Sequence, residues 1–209
     1  MSGPEPSVTE RPRPASRALD LALGLAGLLV GAPCLAAAAV TIRASGDRGP
    51  LIYRARRVGE GGREITVYKL RTMRVASTGL GITHQDDERI TPVGRRLRRA
   101  KIDELPQFLN VVRGDLSVVG PRPEDPRYVD WSDPLHRFVF SARPGITGPS
   151  QIAFRHEEQL LAVPDPDDHY RRVILPEKLR LDADYLRRRT VATDLAMVAA
   201  TIRAIFDRG

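Results

Sequence analysis

The chain has 209 residues, 42% apolar and 28% charged, which is enough for one domain with its own core and too few for two large ones. Its single cysteine, Cys34, excludes a disulfide framework and a cysteine-ligated zinc site, and four scattered histidines without HxH or HExxH spacing argue against a His-rich metal centre. The net charge is +7, carried by 30 Arg against 3 Lys, which suits a surface that meets phosphates on nucleic acid, lipid headgroups or nucleotides without choosing among them.

Residues 1–16 contain four prolines and no apolar periodicity, and read as a disordered tail. From Leu21 to Ile42 there is no charge, between Asp20 and Arg43. As a straight helix these 22 residues reach about 33 Å, roughly one bilayer core. Three readings compete: a secretory signal peptide, a spanning helix, and a helix that enters the membrane, breaks and leaves on the same side. Two features favour the third. Pro33 sits mid-segment, where it removes a backbone donor and clashes with the preceding turn. Arginines flank both ends, with Arg11, Arg13 and Arg17 before and Arg43, Arg48, Arg54, Arg56 and Arg57 after, which keeps both flanks cytoplasmic. The expected division is therefore a tail over 1–16, a re-entrant membrane helix over 17–43 broken at Pro33, and a catalytic domain over 44–209.

Leu51–Val58 and Glu64–Leu70 read as two strands joined by a turn centred on Glu60-Gly61-Gly62, a hairpin. Ala76–Asp87 is polar and reads as a loop. Thr91-Pro92 supplies an N-cap and a first helical residue. The helix that follows places Val93 and Leu97 among Arg95, Arg96, Arg98, Arg99 and Lys101, a basic amphipathic pattern suited to a membrane surface. Ile102–Val112 continues as a second short helix. Ser117–Pro123 and Arg143–Gly148 read as Gly/Pro loops, and residues 164–169 as a linker. Lys178–Arg189 and Asp194–Phe206 are helical, the latter with Leu195, Val198, Ile202 and Ile205 as a core stripe. The fold class expected is α+β, mostly helical.

The chemistry-bearing residues are few. Asp103 and Glu104 are adjacent, so in a helix they point about 100° apart; as more than a solvated surface pair they can share a hard cation through different edges or divide roles between nucleophile and metal ligand. Arginines near two carboxylates suit phosphate chemistry, since the guanidinium fork matches a phosphate and Mg²⁺ screens the rest. Pro121-Arg122-Pro123 fixes the direction of one arginine from both sides. Lys69 ends the second strand as a possible phosphate contact.

These motifs resemble the bacterial sugar transferase family, the small monotopic phosphoglycosyl transferases. The resemblance runs from Gly49-Pro50-Leu51-Ile52-Tyr53 and Tyr68-Lys69-Leu70-Arg71-Thr72-Met73 through Asp87–Arg95. It is most specific in Ile102-Asp103-Glu104-Leu105-Pro106-Gln107 and in Asn110–Pro123, and extends through Arg143–Gly148 and Asp182–Ile205. It implies transfer of a phosphosugar from a UDP-sugar to polyprenyl phosphate, with Mg²⁺ as cofactor and UMP released. It further implies a covalent phosphosugar on Asp103, Glu104 as its metal-binding partner, Arg122 at the nucleotide, and Lys69, Arg98 and Arg143 as phosphate-binding residues. The expected setting is the cytoplasmic face of the inner membrane, among membrane lipids, with downstream glycosyltransferases as possible partners and no nucleic acid. The family breaks its membrane helix at Ser-Pro, whereas this chain has Ala32-Pro33. The competing reading is a non-catalytic, membrane-anchored basic module that binds anionic lipid or nucleic acid; Mg²⁺-dependent UMP release separates the two.

Overall fold

The computed structural model describes residues 14–46, 48–74, 83 and 87–206. The expected tail lies outside the described residues apart from 14–16, and so does most of the 76–87 loop.

The chain opens with α1 (Pro14–Ala44), a helix of 31 residues and about 46 Å. It is followed by the antiparallel hairpin β1 (Ile52–Val58) and β2 (Glu64–Leu70), in the register Tyr53↔Lys69 and Arg57↔Ile65. Gly61 and Gly62 both have positive φ in its turn, where a Cβ is disfavoured. Next come α2 (Pro92–Arg99), a 3₁₀ turn over Ile102–Glu104, and α3 (Gln107–Arg113). Thr91 caps α2 by accepting from the Gly94 amide at 2.9 Å, as Thr91-Pro92 implies. Gly114, at φ 88°, ends α3.

The second half alternates short pieces. These are β3 (Ser117–Val119), α4 (Pro134–Ser141), β4 (Gly145–Thr147), α5 (Pro149–Ala153), α6 (Glu157–Leu160) and α7 (Pro166–His169). A π-helical turn over Tyr170–Ile174 then runs into α8 (Leu175–Arg187), and α9 (Val191–Phe206) follows. β3 and β4 pair in parallel. The expected loops at 117–123 and 143–148 thus contain a strand each, and the expected linker at 164–169 contains α7. A three-residue strand whose partner lies more than 25 residues away leaves no alternation to read.

Three apolar clusters hold the parts together. Tyr128, Val139, Phe140, Leu161, Tyr170, Ile174 and Leu179 join α4 to α8. Ala55, Val67, Val111, Leu116 and Val119 join the hairpin to α3 and β3. Ala38, Ile42, Leu70 and Leu97, with Leu51 and Ile102 against them, seat the end of α1 on the hairpin and α2.

α1 departs from expectation. It starts three residues early and continues as helix through Pro33. The reason is packing on both sides of the proline. Arg17 donates to the Val111 and Val112 carbonyls at 2.7 and 2.8 Å, and Asp20 accepts from Ser117 Oγ and the Val118 amide, each at 2.8 Å. Gly24, Gly27 and Gly31 lie against Val111, Phe108 and Leu105, and Ala38 and Ile42 are buried beyond. With both halves held, Pro33 costs a hydrogen bond within a helix rather than ending one. The opposite face leaves Leu25, Leu29, Val30 and Val40 exposed.

Gly94 touches the strand end so closely that a Cβ there would sit 2.1 Å from the Thr72 carbonyl oxygen. Gly94→Ala is expected to destabilise the fold by about 1–3 kcal/mol, because backbone rather than a flexible side chain must give way. Thermal unfolding of wild type and variant checks it, with Gly46→Ala as a control for a glycine that faces open space but has positive φ.

Candidate active site

Lys101, at φ 56°, is the only non-glycine with positive φ among the described residues, and it turns the chain sharply out of α2. The 3₁₀ turn that follows carries Asp103 and Glu104. Asn110 on α3 fixes this turn against the hairpin. It is fully buried, accepts from the Tyr68 amide at 3.0 Å and donates to the Thr66 carbonyl at 2.7 Å. The dyad is thereby set beside the end of β2, where Lys69 Nζ donates to Glu104 Oε1 at 3.0 Å.

The two carboxylates are unequal. Glu104 is spoken for by Lys69. Burial works to raise its pKa, but Lys69, Lys101 and Arg122 outweigh burial and hold it well below the usual carboxylate range. Asp103 is buried, and its Oδ1 is the one fully buried side-chain polar atom without a hydrogen-bond partner among the described residues. Burial and the charge of Glu104 push its pKa up, against the pull of Lys69, Arg98 and Lys101. An orphaned buried carboxylate oxygen beside a second carboxylate fits a hard cation, which takes oxygen ligands. Among the described residues no third carboxylate, His or Cys joins them. Two protein carboxylates suit Mg²⁺, which commonly completes its shell with water and substrate phosphate.

Glu104 faces a cleft lined by Lys69, Arg57, Arg122, Gln107, Gln151 and Ile146 among others. The space between these side chains is about 10 Å³, room for roughly one water. Anything much larger than a water therefore needs the long Arg57 and Arg122 side chains to swing aside. Arg122 is half-buried, has no side-chain hydrogen bond or ion pair among the described residues, and sits in the field of Glu157, Glu104 and Glu124. Behind it, buried Lys178 donates to Glu157 at 2.7 Å and to the Tyr170 hydroxyl at 3.0 Å, and that hydroxyl donates to Glu124 at 2.6 Å. Asp182 accepts from Ser150 Oγ at 2.8 Å and from the Arg122 amide at 3.4 Å, which fixes the Pro-Arg-Pro turn; burial raises its pKa to about 6.

The cleft brings together Glu104, Lys69 and Arg122, with Pro123 in its wall and Pro121 buried; Asp103 does not line it but is near enough to Lys69 for their charges to interact. Arg98 is near enough to act on Asp103 electrostatically, but its guanidinium is engaged by Glu158 of α6. Arg143 does not line the cleft; it pairs with Glu60 at 2.9 Å and ties β4 to the hairpin turn. Pro33 lies in α1, outside the cleft.

Sequence reasoning missed Arg57, Gln107 and Gln151. The Gln107 carboxamide, on a residue only 3% exposed, has no hydrogen-bond partner among the described residues. Its position three residues after Glu104 was the available signal, since that spacing puts both on one face.

The profile of the bacterial sugar transferase family matches residues 11–208. The chain belongs to that family. Among its relatives are the UDP-glucose:undecaprenyl-phosphate glucose-1-phosphate transferase of Caulobacter vibrioides, 34% identical over 97% of this chain and 73% of that one. The Escherichia coli protein of the same name is 34% identical over 89% of this chain and 39% of its own length. The UDP-N-acetylgalactosamine-undecaprenyl-phosphate N-acetylgalactosaminephosphotransferase of Aeromonas hydrophila is 34% identical over 90% of this chain. This chain spans about two fifths of the length of the Aeromonas and Escherichia relatives.

Proposed function

We propose that the protein transfers a phosphosugar from a UDP-sugar to polyprenyl phosphate at the cytoplasmic face of the inner membrane, releasing UMP. The observation that carries this reading is the unequal dyad. One carboxylate is neutralised by Lys69, and its neighbour keeps a free oxygen, beside an uncommitted arginine. Asp103 attacks the phosphorus that bears the sugar, the bond from that phosphorus to the bridging oxygen breaks, and UMP leaves with the electron pair. A phosphate oxygen of the lipid then attacks the same phosphorus, forms the pyrophosphate link and returns the Asp103 carboxylate. Lys69 and Arg122 hold the anionic phosphates through both steps, and Glu104 keeps Lys69 charged and in place. Asp103 and Glu104 would hold Mg²⁺, which supplies charge neutralisation on the phosphates when bound.

The test is UMP release from a panel of UDP-sugars by the full chain in vesicles, with and without undecaprenyl phosphate and Mg²⁺. Release without the lipid, together with one sugar-phosphate mass on the protein that the lipid discharges, is expected. UMP only with both substrates present, and no adduct, would favour direct transfer. No release with any sugar, alongside retained binding to anionic vesicles, would favour the non-catalytic module.

The membrane placement is supported by α1 being held by one domain at both ends, at Arg17 and at Ile42. It is the one helix among the described residues that is long and apolar enough to cross a membrane, with mean hydropathy 2.1. A helix whose two ends are both held by one domain keeps those ends on one side of the bilayer more readily than it spans. Cysteines placed at Ser2 and Ser45 in a Cys34→Ala background are expected to be shielded from an impermeant reagent in intact cells and labelled in inverted vesicles. Labelling of residue 2 from outside the cell would mean a spanning helix.

A further inference from the structure

Arg122 stands among three carboxylates, and none of them holds it. Burial works against its charge, which Glu157, Glu104 and Glu124 support in that order. Each of the three is taken by another donor. Lys69 donates to Glu104 at 3.0 Å, Lys178 to Glu157 at 2.7 Å, and the Tyr170 hydroxyl to Glu124 at 2.6 Å. Glu124 also accepts from the Asp125 amide at 3.1 Å and lies 4.0 Å from Lys178. A guanidinium carries five donors and closes readily on a carboxylate. That of Arg122 has no hydrogen bond or ion pair among the described residues, although its backbone amide is bonded.

The donors behind Arg122 are buried deeply. Lys178 is 2% exposed and Tyr170 1%, and a lysine is almost never so buried unless it is paired. Lys178 also donates to the Tyr170 hydroxyl at 3.0 Å and sits 4.8 Å from the centre of its ring. Tyr170 opens the π-helical turn that runs into α8, and such turns recur at functional sites. Four residues beyond Lys178, on the same face of α8, Asp182 accepts from the Arg122 amide. The backbone of Arg122 and the carboxylates around its side chain are thus held from one face of one helix. Lys178, Tyr170 and Asp182 do not line the cleft themselves.

We propose, on the basis of the transfer reaction above, that Lys178 and Tyr170 are positioning residues for it. By occupying Glu157 and Glu124 they keep the Arg122 guanidinium open to an incoming diphosphate. Without Lys178, Glu157 loses its partner, and the cation that acts on it most strongly after Lys178 is Arg122. A guanidinium closed on Glu157 no longer presents its fork to a phosphate.

Equilibrium dialysis of UDP, with Mg²⁺, against the full chain in phosphatidylcholine vesicles tests this without turnover. Lys178→Met is expected to weaken UDP by about tenfold or more, the size of one charge-assisted contact. Arg122→Met should cost as much in the wild type but less than about twofold in the Lys178→Met background, where the guanidinium is already withdrawn. Adding Glu157→Gln to Lys178→Met should restore most of the lost affinity. A merely structural role for Lys178 predicts the opposite: losses that multiply, and no rescue. Either of those results, or wild-type affinity in Lys178→Met, would overturn the proposal. Melting temperatures establish that each variant is folded. If Lys178→Met is not, Tyr170→Phe, which removes a single oxygen, carries the same cycle with Glu124→Gln as the rescuing change. If the wild type bound no UDP, the transfer reaction would be wrong, and the melting temperatures would still decide the point. Arg122→Met should then lower the melting temperature further in the Lys178→Met background than in the wild type, because Arg122 has become the partner of Glu157. Equal shifts would mean that Lys178 does not hold Arg122 free.

Discussion

Asp103→Asn is expected to abolish transfer, by at least about a thousandfold in turnover, while vesicle binding stays at the wild-type level. The carboxylate is the proposed nucleophile, and an amide neither attacks phosphorus nor binds a hard cation comparably. The same substitution should not harm the fold. In the wild type a buried charge sits with one oxygen unpaired, beside a second carboxylate, and its pKa is raised because burial disfavours the charge. Removing that charge relieves a cost, so the melting temperature should hold or rise. Activity lost together with stability would instead mark Asp103 as structural. Glu104→Gln should behave differently. It leaves the half-buried Lys69 without its hydrogen-bonded partner, a change worth about 1–3 kcal/mol. The two neighbours are thus separable by melting temperature, even though both variants are inactive.

Asp20→Ala is expected to cost about 3 kcal/mol or more of stability, since it strips the acceptor from two buried donors at once. Those donors are Ser117 Oγ and the Val118 amide, 97 and 98 residues away in sequence. Arg189, which donates to the Val119 carbonyl at 3.0 Å and pairs with Asp194 at 3.2 Å, also feels the Asp20 charge. The substitution therefore loosens α1, β3 and α9 from one another. Chemical unfolding in detergent micelles checks it. Asp20→Asn, which keeps one acceptor oxygen, should fall between wild type and Ala. If Asp20→Ala unfolded like wild type, the anchoring of α1 described above would be wrong.

Much of this was legible because local rules and tertiary structure agreed. The hairpin was placed to within one residue at one end, since two alternating runs around Glu60-Gly61-Gly62 leave little choice. Thr91-Pro92 started α2 as its chemistry requires. Glu104, Lys69 and Arg122 line one cleft, and Asp103 precedes Glu104 in the same turn. What stayed hidden depends on contacts across long separations. Nothing around Arg143 shows that Glu60, 83 residues away, would occupy it. Nothing around Arg98 shows that Glu158 would do the same. Pro33 reads as a break because the rule for prolines is local, whereas the contacts that hold α1 come from far along the chain, 94 positions away for Arg17 and 98 for Asp20. Arg57 looked like one of several flanking arginines until the pairing Arg57↔Ile65 turned it to the cleft side of the hairpin, with Lys69.

The three glycines of α1 have a practical consequence for anyone who wants a water-soluble form of this protein. Val111, Phe108 and Leu105 rest directly on Gly24, Gly27 and Gly31, so α3 is roofed by the very helix that a solubilising truncation would remove. Cutting the chain after Ala44 would not trim a tether. It would lift the lid off α3, expose an apolar strip beside Asn110 and slacken the turn that carries Asp103. A fragment starting at Ser45 should therefore aggregate or lose its site, whereas recoding the outward residues Leu25, Leu29, Val30 and Val40 to polar ones would leave every one of those contacts in place.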